Sequence, residues 1–199
     1  MTTAAATPTN IHTPPNWLDP IDWAAVFASA QPIEVDVGCG KGAFLLWAAQ
    51  ARPDHNFLGI ERLLLRLRKV DKKARRRGLM NVRFIRLEAG YFISKLIPTA
   101  SVVAYHIYFP DPWPKRRHWP KRLVNAAIAS DLWRTLEPGG AVNMATDHQQ
   151  YFEQMERVMA AMPEFRQEPP LSLPAEAQTD FEKEFLAAGR PVYRARWVK

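Results

Sequence analysis

Residues 33–46, Ile-Glu-Val-Asp-Val-Gly-Cys-Gly-Lys-Gly-Ala-Phe-Leu-Leu, decide the fold because they join a strand, a glycine-rich turn and a helix in immediate succession. Apolar residues at 33, 35 and 37 alternate with acidic ones, as in a β-strand. The turn contains Gly38, Gly40 and Gly42, which accept positive φ angles and let a ligand approach the backbone closely. Residues 43–51 are predicted to form a helix, whose first turn offers backbone N–H groups without intrahelical partners. This order predicts the first unit of an α/β domain with a ligand site at the turn.

The spacing of the glycines distinguishes between classes of Rossmann-like domain. Dinucleotide-binding enzymes carry G-x-G-x-x-G, in which the third glycine eases the packing of the helix. Residues 36–42 instead read D-x-G-x-G-x-G, with Asp36 just before the turn. This resembles the first motif of the class I S-adenosylmethionine-dependent methyltransferases, whose cofactor carries an amino acid and a sulfonium, so that nearby acids are favourable. A purely structural glycine turn is the alternative, because a short glycine motif alone is weak evidence.

Acidic residues end several of the predicted strands. Residues 56–61 read as a second strand that ends at Glu61, about twenty residues beyond the glycine turn, where nucleotide-binding folds place an acid that accepts hydrogen bonds from ribose hydroxyls. An ordinary surface acid is the alternative. The acids at predicted strand ends are Asp36, Glu61, Glu88, Asp111 and Asp147. Because the carboxyl ends of parallel strands meet at one edge of a sheet, we expect these side chains to converge.

The stretch from His106 to Arg122, His-Ile-Tyr-Phe-Pro-Asp-Pro-Trp-Pro-Lys-Arg-Arg-His-Trp-Pro-Lys-Arg, joins a strand to a loop that four prolines stiffen. The loop carries one carboxylate, Asp111, two indoles, Trp113 and Trp119, and five basic side chains. Basic groups suit phosphates, flat rings suit nucleobases, and a held carboxylate suits the donor edge of a base. A solvated charged loop with two tryptophans packed into the core is the alternative.

Residues 62–77 are predicted to form a strongly basic helix, in which nine of the sixteen residues are Arg or Lys. Its core-facing stripe consists of Leu63, Leu67, Val70 and Ala74. Its exposed side carries Arg66, Lys69, Lys73 and Arg76. Either the helix or the loop alone is also explained as a solvated face. Together they hold fourteen of the twenty-seven basic residues, which favours an anionic polymer as the partner.

Strands and helices continue to alternate along the chain. Further strands are predicted over 81–87, 101–109, 141–145 and 192–198, and further helices over 22–30, 91–97, 123–136, 151–162 and from Thr179 to Gly189. This alternation predicts an α/β fold with a mostly parallel twisted sheet, a late antiparallel hairpin and helices on both faces. The resemblance of the glycine motif implies that this is the Rossmann-like fold of the class I methyltransferases. Residues 1–15, rich in Thr, Ala and Pro, are predicted to be a disordered tail, and residues 16–199 a single S-adenosylmethionine-dependent methyltransferase domain.

Composition narrows the class of partner. The net charge of +7 indicates a polyanion, nucleic acid before membrane, and no apolar run approaches the ~20 residues that span a bilayer. The tail has neither the basic nor the apolar segment of a signal peptide. The single cysteine, Cys39, excludes an internal disulfide and suits a reducing compartment, which predicts a cytoplasmic location. The five histidines lack metal-ligand spacing, so we expect no metal. The sequence does not distinguish a monomer from a homodimer.

From Ile33 to its C-terminus the chain resembles the tRNA (guanine-N7)-methyltransferase family, bacterial enzymes that methylate a guanosine of the tRNA variable loop (position 46 of the tRNA). The most specific element is Phe-Pro-Asp-Pro-Trp-Pro-Lys-Arg-Arg-His at 109–118. Supporting elements are Gly-Ile-Glu at 59–61, Thr-Asp at 146–147, Thr-Asp-Phe-Glu at 179–182 and Gly-Arg-Pro-Val-Tyr at 189–193.

The resemblance implies a role for each matching residue, with Asp111 as the catalytic acid. S-adenosylmethionine would be bound by Asp36, Gly38, Gly40, Gly42, Glu61, Glu88 and Asp111. The substrate would be contacted by Lys115, Asp147, Thr179, Asp180, Phe181 and Glu182. The RNA would be touched by the basic segment, at Arg117, His118, Lys121 and Arg122.

The chain departs from the family pattern at three places. The family usually has Glu where this chain has Asp36, and Asp where it has Glu88, so the charge is kept while the reach changes by one methylene. These differences bear on cofactor affinity. The third departure is Trp119-Pro120, which interrupts a segment that is more polar in the family and bears on the RNA contacts.

The implied chemistry requires positioning more than a base. Guanine N7 carries a free lone pair, so no proton leaves before methyl transfer, and alignment can supply ~7–11 kcal/mol of barrier reduction. A fixed carboxylate stabilises the cation that forms on the purine. One alternative is an amino-methyltransferase of adenine or cytosine, whose Asp-Pro-Pro-aromatic loop residues 111–114 match only loosely. A nicotinamide-dependent reductase would have the other glycine spacing, and a non-catalytic RNA-binding protein would not explain the row of acids.

Overall fold

The structure, a computed structural model, describes residues 9–199 as a seven-stranded sheet with helices around it. The strands are β1 (Ile33–Val37), β2 (Asn56–Ile60), β3 (Val82–Ile85), β4 (Val102–Tyr108), β5 (Leu136–Thr146), β6 (Arg166–Glu168) and β7 (Tyr193–Val198). The α-helices are α1 (Trp23–Val26), α2 (Ala43–Ala51), α3 (Leu64–Arg76), α4 (Ala89–Tyr91), α5 (Ala126–Thr135), α6 (Gln149–Ala160) and α7 (Asp180–Ala187). A π-helical turn covers Phe92–Leu96, and 3-10 turns cover Arg116–Lys121 and Ala175–Ala177.

The strand order is β3-β2-β1-β4-β5-β7-β6. The first five strands run parallel, whereas β7 runs antiparallel to both β5 and β6. The chain order reverses at β1, which pairs with β2 on one side and with β4 on the other. Open α/β sheets bind ligands beyond the carboxyl ends of the strands at such a reversal. The predicted fold, a mostly parallel sheet with late antiparallel strands, is therefore confirmed.

Two apolar cores lie on the two faces of the sheet, which confirms the predicted helices on both sides. The larger core contains residues of α5, α6 and the π-helical turn together with Ile33, Val35 and Val37 of β1. The smaller core contains residues of α2 and α3 together with Phe57 and Phe84 of the neighbouring strands. The alternating side chains of β1, Glu34 and Asp36, therefore point towards the α2 and α3 side. No helix within residues 9–199 is long and apolar enough to cross a membrane.

The segment before α1 is ordered where the described chain begins. The Phe84 N–H donates to the Asn10 carbonyl (2.9 Å), and the His12 N–H donates to the Phe84 carbonyl (2.8 Å), so that Ile11 pairs with β3. The buried Asp71 carboxylate of α3 accepts the Asn10 N–H at 2.8 Å. Residues 9–12 of the segment predicted as a disordered tail over 1–15 thus pair with β3 and α3, and residues 1–8 lie outside the described chain. Composition alone gave no sign that this segment covers the exposed edge of β3.

Candidate active site

A cavity of about 470 Å³ lies at the carboxyl ends of β1, β2 and β4, next to the reversal of strand order. It brings together four of the five predicted acids, Asp36, Glu61, Glu88 and Asp111. Gly38, Gly40 and Gly42 of the glycine turn also line it, as do Thr179, Asp180 and Phe181 from the start of α7. The predicted convergence at one rim of the sheet therefore holds for these residues.

The three turn glycines differ in what their missing side chains permit. All three have positive φ angles, of 76°, 54° and 75° for Gly38, Gly40 and Gly42. A Cβ added to Gly38 would meet no atom within 4 Å, whereas one added to Gly42 would lie 2.0 Å from Cγ2 of Val70 in α3. Gly38 therefore leaves room at the cavity, while Gly42 lets α3 pack against the glycine turn.

Two buried acids form the floor of the cavity. Asp36 is 5% exposed and Glu61 is 7% exposed. The Glu61 carboxylate has partners within the protein, because it accepts the Leu63 N–H at 2.9 Å and lies 3.6 Å from a guanidinium nitrogen of Arg66. The Asp36 carboxyl accepts no hydrogen bond from any residue between 9 and 199. Burial, with a smaller contribution from the Glu61 charge, raises the pKa of Asp36 to about 8. The floor is thus arranged to receive a cation or a hydrogen-bond donor.

Hydrogen bonds and an ion pair fix three further side chains that line the cavity, those of Glu88, Lys41 and Asp180. The Glu88 carboxylate accepts the N–H groups of Gly90 (2.9 Å) and Tyr91 (2.7 Å), so that it caps α4 while it faces the cavity. An ion pair of 3.1 Å between Lys41 and Asp180 connects the glycine turn to the start of α7. The lining of the cavity therefore includes a fixed carboxylate, Glu88, and a surface ion pair, Lys41–Asp180.

Asp111 lies on an irregular loop directly after β4. The residues two positions before and after it, Phe109 and Trp113, have φ angles of 53° and 42°. Such values are strained for residues with side chains and persist only where the surroundings impose them. The Trp113 ring stands edge-on to His118, with 5.6 Å between ring centroids, and the Lys121 ammonium lies 4.9 Å from the same indole. The loop is stacked upon itself and presents the exposed carboxylate at the cavity.

Known proteins resemble this chain in sequence over most of its length. A family model described as "Putative methyltransferase" matches residues 30–195. A protein of Myxococcus xanthus named tRNA (guanine-N(7)-)-methyltransferase is 32% identical over 187 residues, which cover 90% of this chain and 89% of that protein. The chain belongs to the tRNA (guanine-N7-)-methyltransferase family. The family predicted from the sequence is therefore confirmed.

Other members of the tRNA (guanine-N7-)-methyltransferase family are longer than this chain. The Geobacter metallireducens protein of that name is 42% identical over 132 residues, which cover 66% of this chain and 63% of that protein. The Syntrophotalea carbinolica protein is 37% identical, and the chain covers 57% of it. The chain thus spans about six tenths of the length of these two curated relatives.

Solved structures support the fold of this family member. The 30S ribosomal A1408 methyltransferase from an uncultured bacterium superposes with a TM-score of 0.63 and 16% identity, covering 91% of this chain and 95% of that one. The 16S rRNA methyltransferase KamB has the same TM-score and identity, covering 88% and 91%. At this identity the likeness establishes the class I methyltransferase fold and nothing about the substrate.

Three of the predicted contact residues lie away from the cavity of this family member. Asp147 at the end of β5 pairs with Arg190, and Glu182 in α7 is 2% exposed and pairs with Arg194. Arg122 is also 2% exposed. Lys115 and Arg117, in contrast, are exposed on the loop after Asp111, outside the cavity lining. Of the predicted substrate and RNA contacts, Lys115 and Arg117 are therefore exposed, Asp147 is paired at the surface, and Glu182 and Arg122 are buried.

Sequence reasoning missed a buried polar chain behind the cavity. Tyr108 lines the cavity, and its hydroxyl lies 3.2 Å from Nδ1 of His106, whose Nε2 lies 2.7 Å from the Glu34 carboxylate. Burial lowers the pKa of His106. Burial acts to raise the pKa of Glu34, but the hydrogen bond to His106 and the Arg52 charge lower it overall. Both pKa shifts agree with a neutral His106 imidazole that donates a hydrogen bond to an ionised Glu34 carboxylate. The period of two along β4, which places His106 and Tyr108 on one face, was the available signal.

Proposed function

We propose that this protein transfers the methyl group of S-adenosylmethionine to N7 of a guanosine in tRNA, in the variable loop, as a cytoplasmic enzyme. One observation carries the proposal. The exposed carboxylate of Asp111 shares a single cavity with the glycine turn and with the buried acids Asp36 and Glu61. The membership in the tRNA (guanine-N7-)-methyltransferase family gives the substrate class.

The residues of the cavity fit the proposed cofactor. When bound, S-adenosylmethionine supplies a methyl group on a positively charged sulfonium. The free, buried carboxyl of Asp36 suits a positively charged group or a hydroxyl donor, and the second buried acid, Glu61, reinforces this preference. The open space at Gly38 lets a ligand lie against the backbone of the glycine turn. The D-x-G-x-G-x-G spacing of residues 36–42, in place of G-x-G-x-x-G, disfavours the reductase alternative.

Asp111 is assigned to the base. A carboxylate accepts hydrogen bonds, so Asp111 can receive the N1–H and the amino group of guanine, which are neighbouring donors on one edge. Methylation leaves the purine positively charged, and a fixed negative charge nearby stabilises that cation as it forms. No general base is required because N7 has a free lone pair. The strained, stacked loop keeps Asp111 in place, and this positioning is the main contribution of the chain.

Basic residues on two elements border the cavity and are assigned to the RNA backbone. The exposed face of α3 carries Arg66, Lys69, Lys73 and Arg76. The loop after Asp111 exposes Lys115, Arg116, Arg117 and Lys121. One residue of each group, Arg66 and Lys121, also lines the cavity, so that the two basic surfaces meet at its mouth. A nucleotide turned out of an RNA loop would reach the cavity while its phosphates lie on these surfaces.

The proposal is tested by locating the methyl group. The protein is incubated with unmodified tRNA and methyl-labelled S-adenosylmethionine, and the RNA is digested to nucleosides. We expect the label in N7-methylguanosine, and none when the variable-loop guanosine is replaced by adenosine. Label in N6-methyladenosine or a methylcytidine would identify the amino-methyltransferase alternative. Tight tRNA binding without any labelled nucleoside would identify a non-catalytic RNA-binding protein.

A further inference from the structure

Arg122 differs from every other basic residue of its loop because its side chain lies inside the protein. It is 2% exposed, whereas Lys115, Arg116, Arg117 and Lys121 are exposed. Its Nε donates to the carbonyl of Pro112 at 2.8 Å, and its Nη1 donates to Oε1 of Gln154 in α6 at 2.6 Å. The Arg122 side chain therefore links Pro112, the residue directly after Asp111, to Gln154 of α6.

Two aromatic rings pack against the Arg122 guanidinium. Its central carbon lies 4.7 Å from the ring centroid of Trp119 and 4.8 Å from that of the buried Tyr151. A planar guanidinium stacks on flat rings and presents its donors within one plane, which an ammonium group does not. Trp119 and Tyr151 therefore form a slot for the guanidinium of Arg122.

The position of the Pro112 carbonyl decides where Asp111 lies. Phe109 and Trp113, on either side of Asp111, both have positive φ angles, and such a backbone needs external support. One support is the hydrogen bond from the Phe109 N–H to the Ala145 carbonyl in β5 (2.8 Å). The other is the bond from Arg122 to Pro112, one residue after the carboxylate. Among residues 9–199, no other hydrogen bond ties the loop from 110 to 114 to the rest of the protein.

We propose that Arg122 is a positioning residue, which fixes the Asp111 carboxylate through the Pro112 carbonyl and does not contact RNA. Asp111 is assigned by the proposed function, so the catalytic part of this inference rests on it. The structural part, that Arg122 holds the loop, does not depend on any activity.

The first test compares Arg122→Lys with Arg157→Lys, a control at an exposed arginine of α6, the helix that carries Gln154. Both changes keep the charge, and only the first removes the planar donor group from the slot. For Arg122→Lys we expect kcat for tRNA methylation to fall at least tenfold, while the Kd for tRNA and its salt dependence stay within twofold of the unchanged protein. Arg157→Lys should leave kcat unchanged. Unchanged kcat in Arg122→Lys, with weaker tRNA binding, would overturn the proposal and return Arg122 to the RNA contacts.

Chemical rescue separates positioning from a general loss of stability. In Arg122→Ala, methylguanidinium added at constant ionic strength should restore kcat severalfold, because it can occupy the slot that Trp119 and Tyr151 form. Methylammonium at the same concentration should not. Equal effects of the two cations would contradict the requirement for a planar donor.

The second test needs no activity. Trypsin cleaves after the exposed Lys115, Arg116 and Arg117, and both Lys variants keep all of these sites. We expect initial cleavage within 115–117 to be several times faster in Arg122→Lys than in Arg157→Lys, at temperatures where both are folded. Gln154→Leu, which leaves Arg122 in place but removes its second acceptor, should give an intermediate rate. Equal rates in all variants would refute the anchoring role. If the unchanged protein failed to methylate tRNA, the proposed function would fail and this comparison would still decide the role of Arg122.

Discussion

Replacing Asp36 by Asn should stabilise the free protein and make its stability less dependent on pH. The folded pKa of Asp36 is about 8, against 3.8 for an ordinary aspartate. Above about pH 4 the unfolded chain therefore releases a proton that the folded chain keeps, and the folded state loses stability as pH rises towards 8. Asn is nearly isosteric with the protonated acid and cannot ionise, so it removes this penalty.

The expected gain follows from the difference between the two pKa values. Each pH unit above the unfolded pKa costs the folded state about 1.4 kcal/mol until its own pKa is reached. The gain for Asp36→Asn is then about 4 kcal/mol at pH 7 and about 2 kcal/mol at pH 5, as upper limits. A matched change at an exposed aspartate, Asp54→Asn, should alter stability by less than about 0.5 kcal/mol at either pH.

Urea unfolding of the three proteins without ligand, at steps between pH 5 and pH 8, measures these values. The decisive quantity is the difference in the free energy of unfolding between Asp36→Asn and the unchanged protein. A difference that does not grow with pH, or an Asn variant that is less stable, would refute the conclusion that Asp36 is protonated in the free protein. Calorimetry of S-adenosylmethionine binding in buffers of different ionisation enthalpy extends the test. We expect proton release on binding at pH 7 from the unchanged protein and none from the Asn variant.

Three further changes test the other parts of the site. Asp111→Asn should lower kcat for tRNA methylation by about 10²–10³, the loss typical of one electrostatic group, with the Kd for tRNA unchanged in filter binding; full activity would remove Asp111 from the mechanism. A triple charge reversal to Glu on the exposed face of α3 replaces Lys69, Lys73 and Arg76. It should weaken tRNA binding and reduce the slope of log Kd against log salt by about 0.7–0.9 for each phosphate that the variant no longer neutralises, and an unchanged slope would make this face a solvated one. Gly42→Ala should destabilise the protein by at least about 2 kcal/mol in urea unfolding, because its Cβ would overlap Val70, whereas an unaffected stability would show that α3 can shift.

The sequence predicted helix ends that depend only on neighbouring residues. Gly78, with a φ of 68°, ends α3, and the Leu79 N–H donates to the Ala74 carbonyl at 3.1 Å, a helix end that a glycine followed by an apolar residue favours. Thr179 begins α7, the helix predicted from this residue, and caps it by accepting the Glu182 N–H at 3.1 Å. The Glu182 carboxylate does not cap the helix in return, because it pairs with Arg194 on β7. A partner twelve residues away was not visible in the spacing of the motif.

The helix expected over 22–30 ends at Val26, since Phe27 adopts an extended conformation. Other features that the sequence did not predict depend on partners distant in the chain. Residues 9–12 lie in the segment 1–15 that was assigned to a tail because composition records no partner, yet the edge of β3 and Asp71 of α3 provide one. The burial of Arg122 was likewise not predicted from the sequence. A run of basic residues predicts an exposed charged segment, and it does not tell which member turns inward.

Arg66 links the acids of the cavity to the basic face of α3. Its guanidinium lies 3.6 Å from the Glu61 carboxylate at the floor of the cavity, and the same side chain stands on the exposed basic face of α3. The two buried acids favour a cation or a hydrogen-bond donor at the floor, whereas the solvated positive charges of the face favour phosphate. Basic side chains also line the cavity, namely those of Lys41, Arg62, Arg66 and Lys121. This arrangement of charge favours one cationic cofactor and one polyanionic substrate that meet at the cavity, which Asp111 also lines.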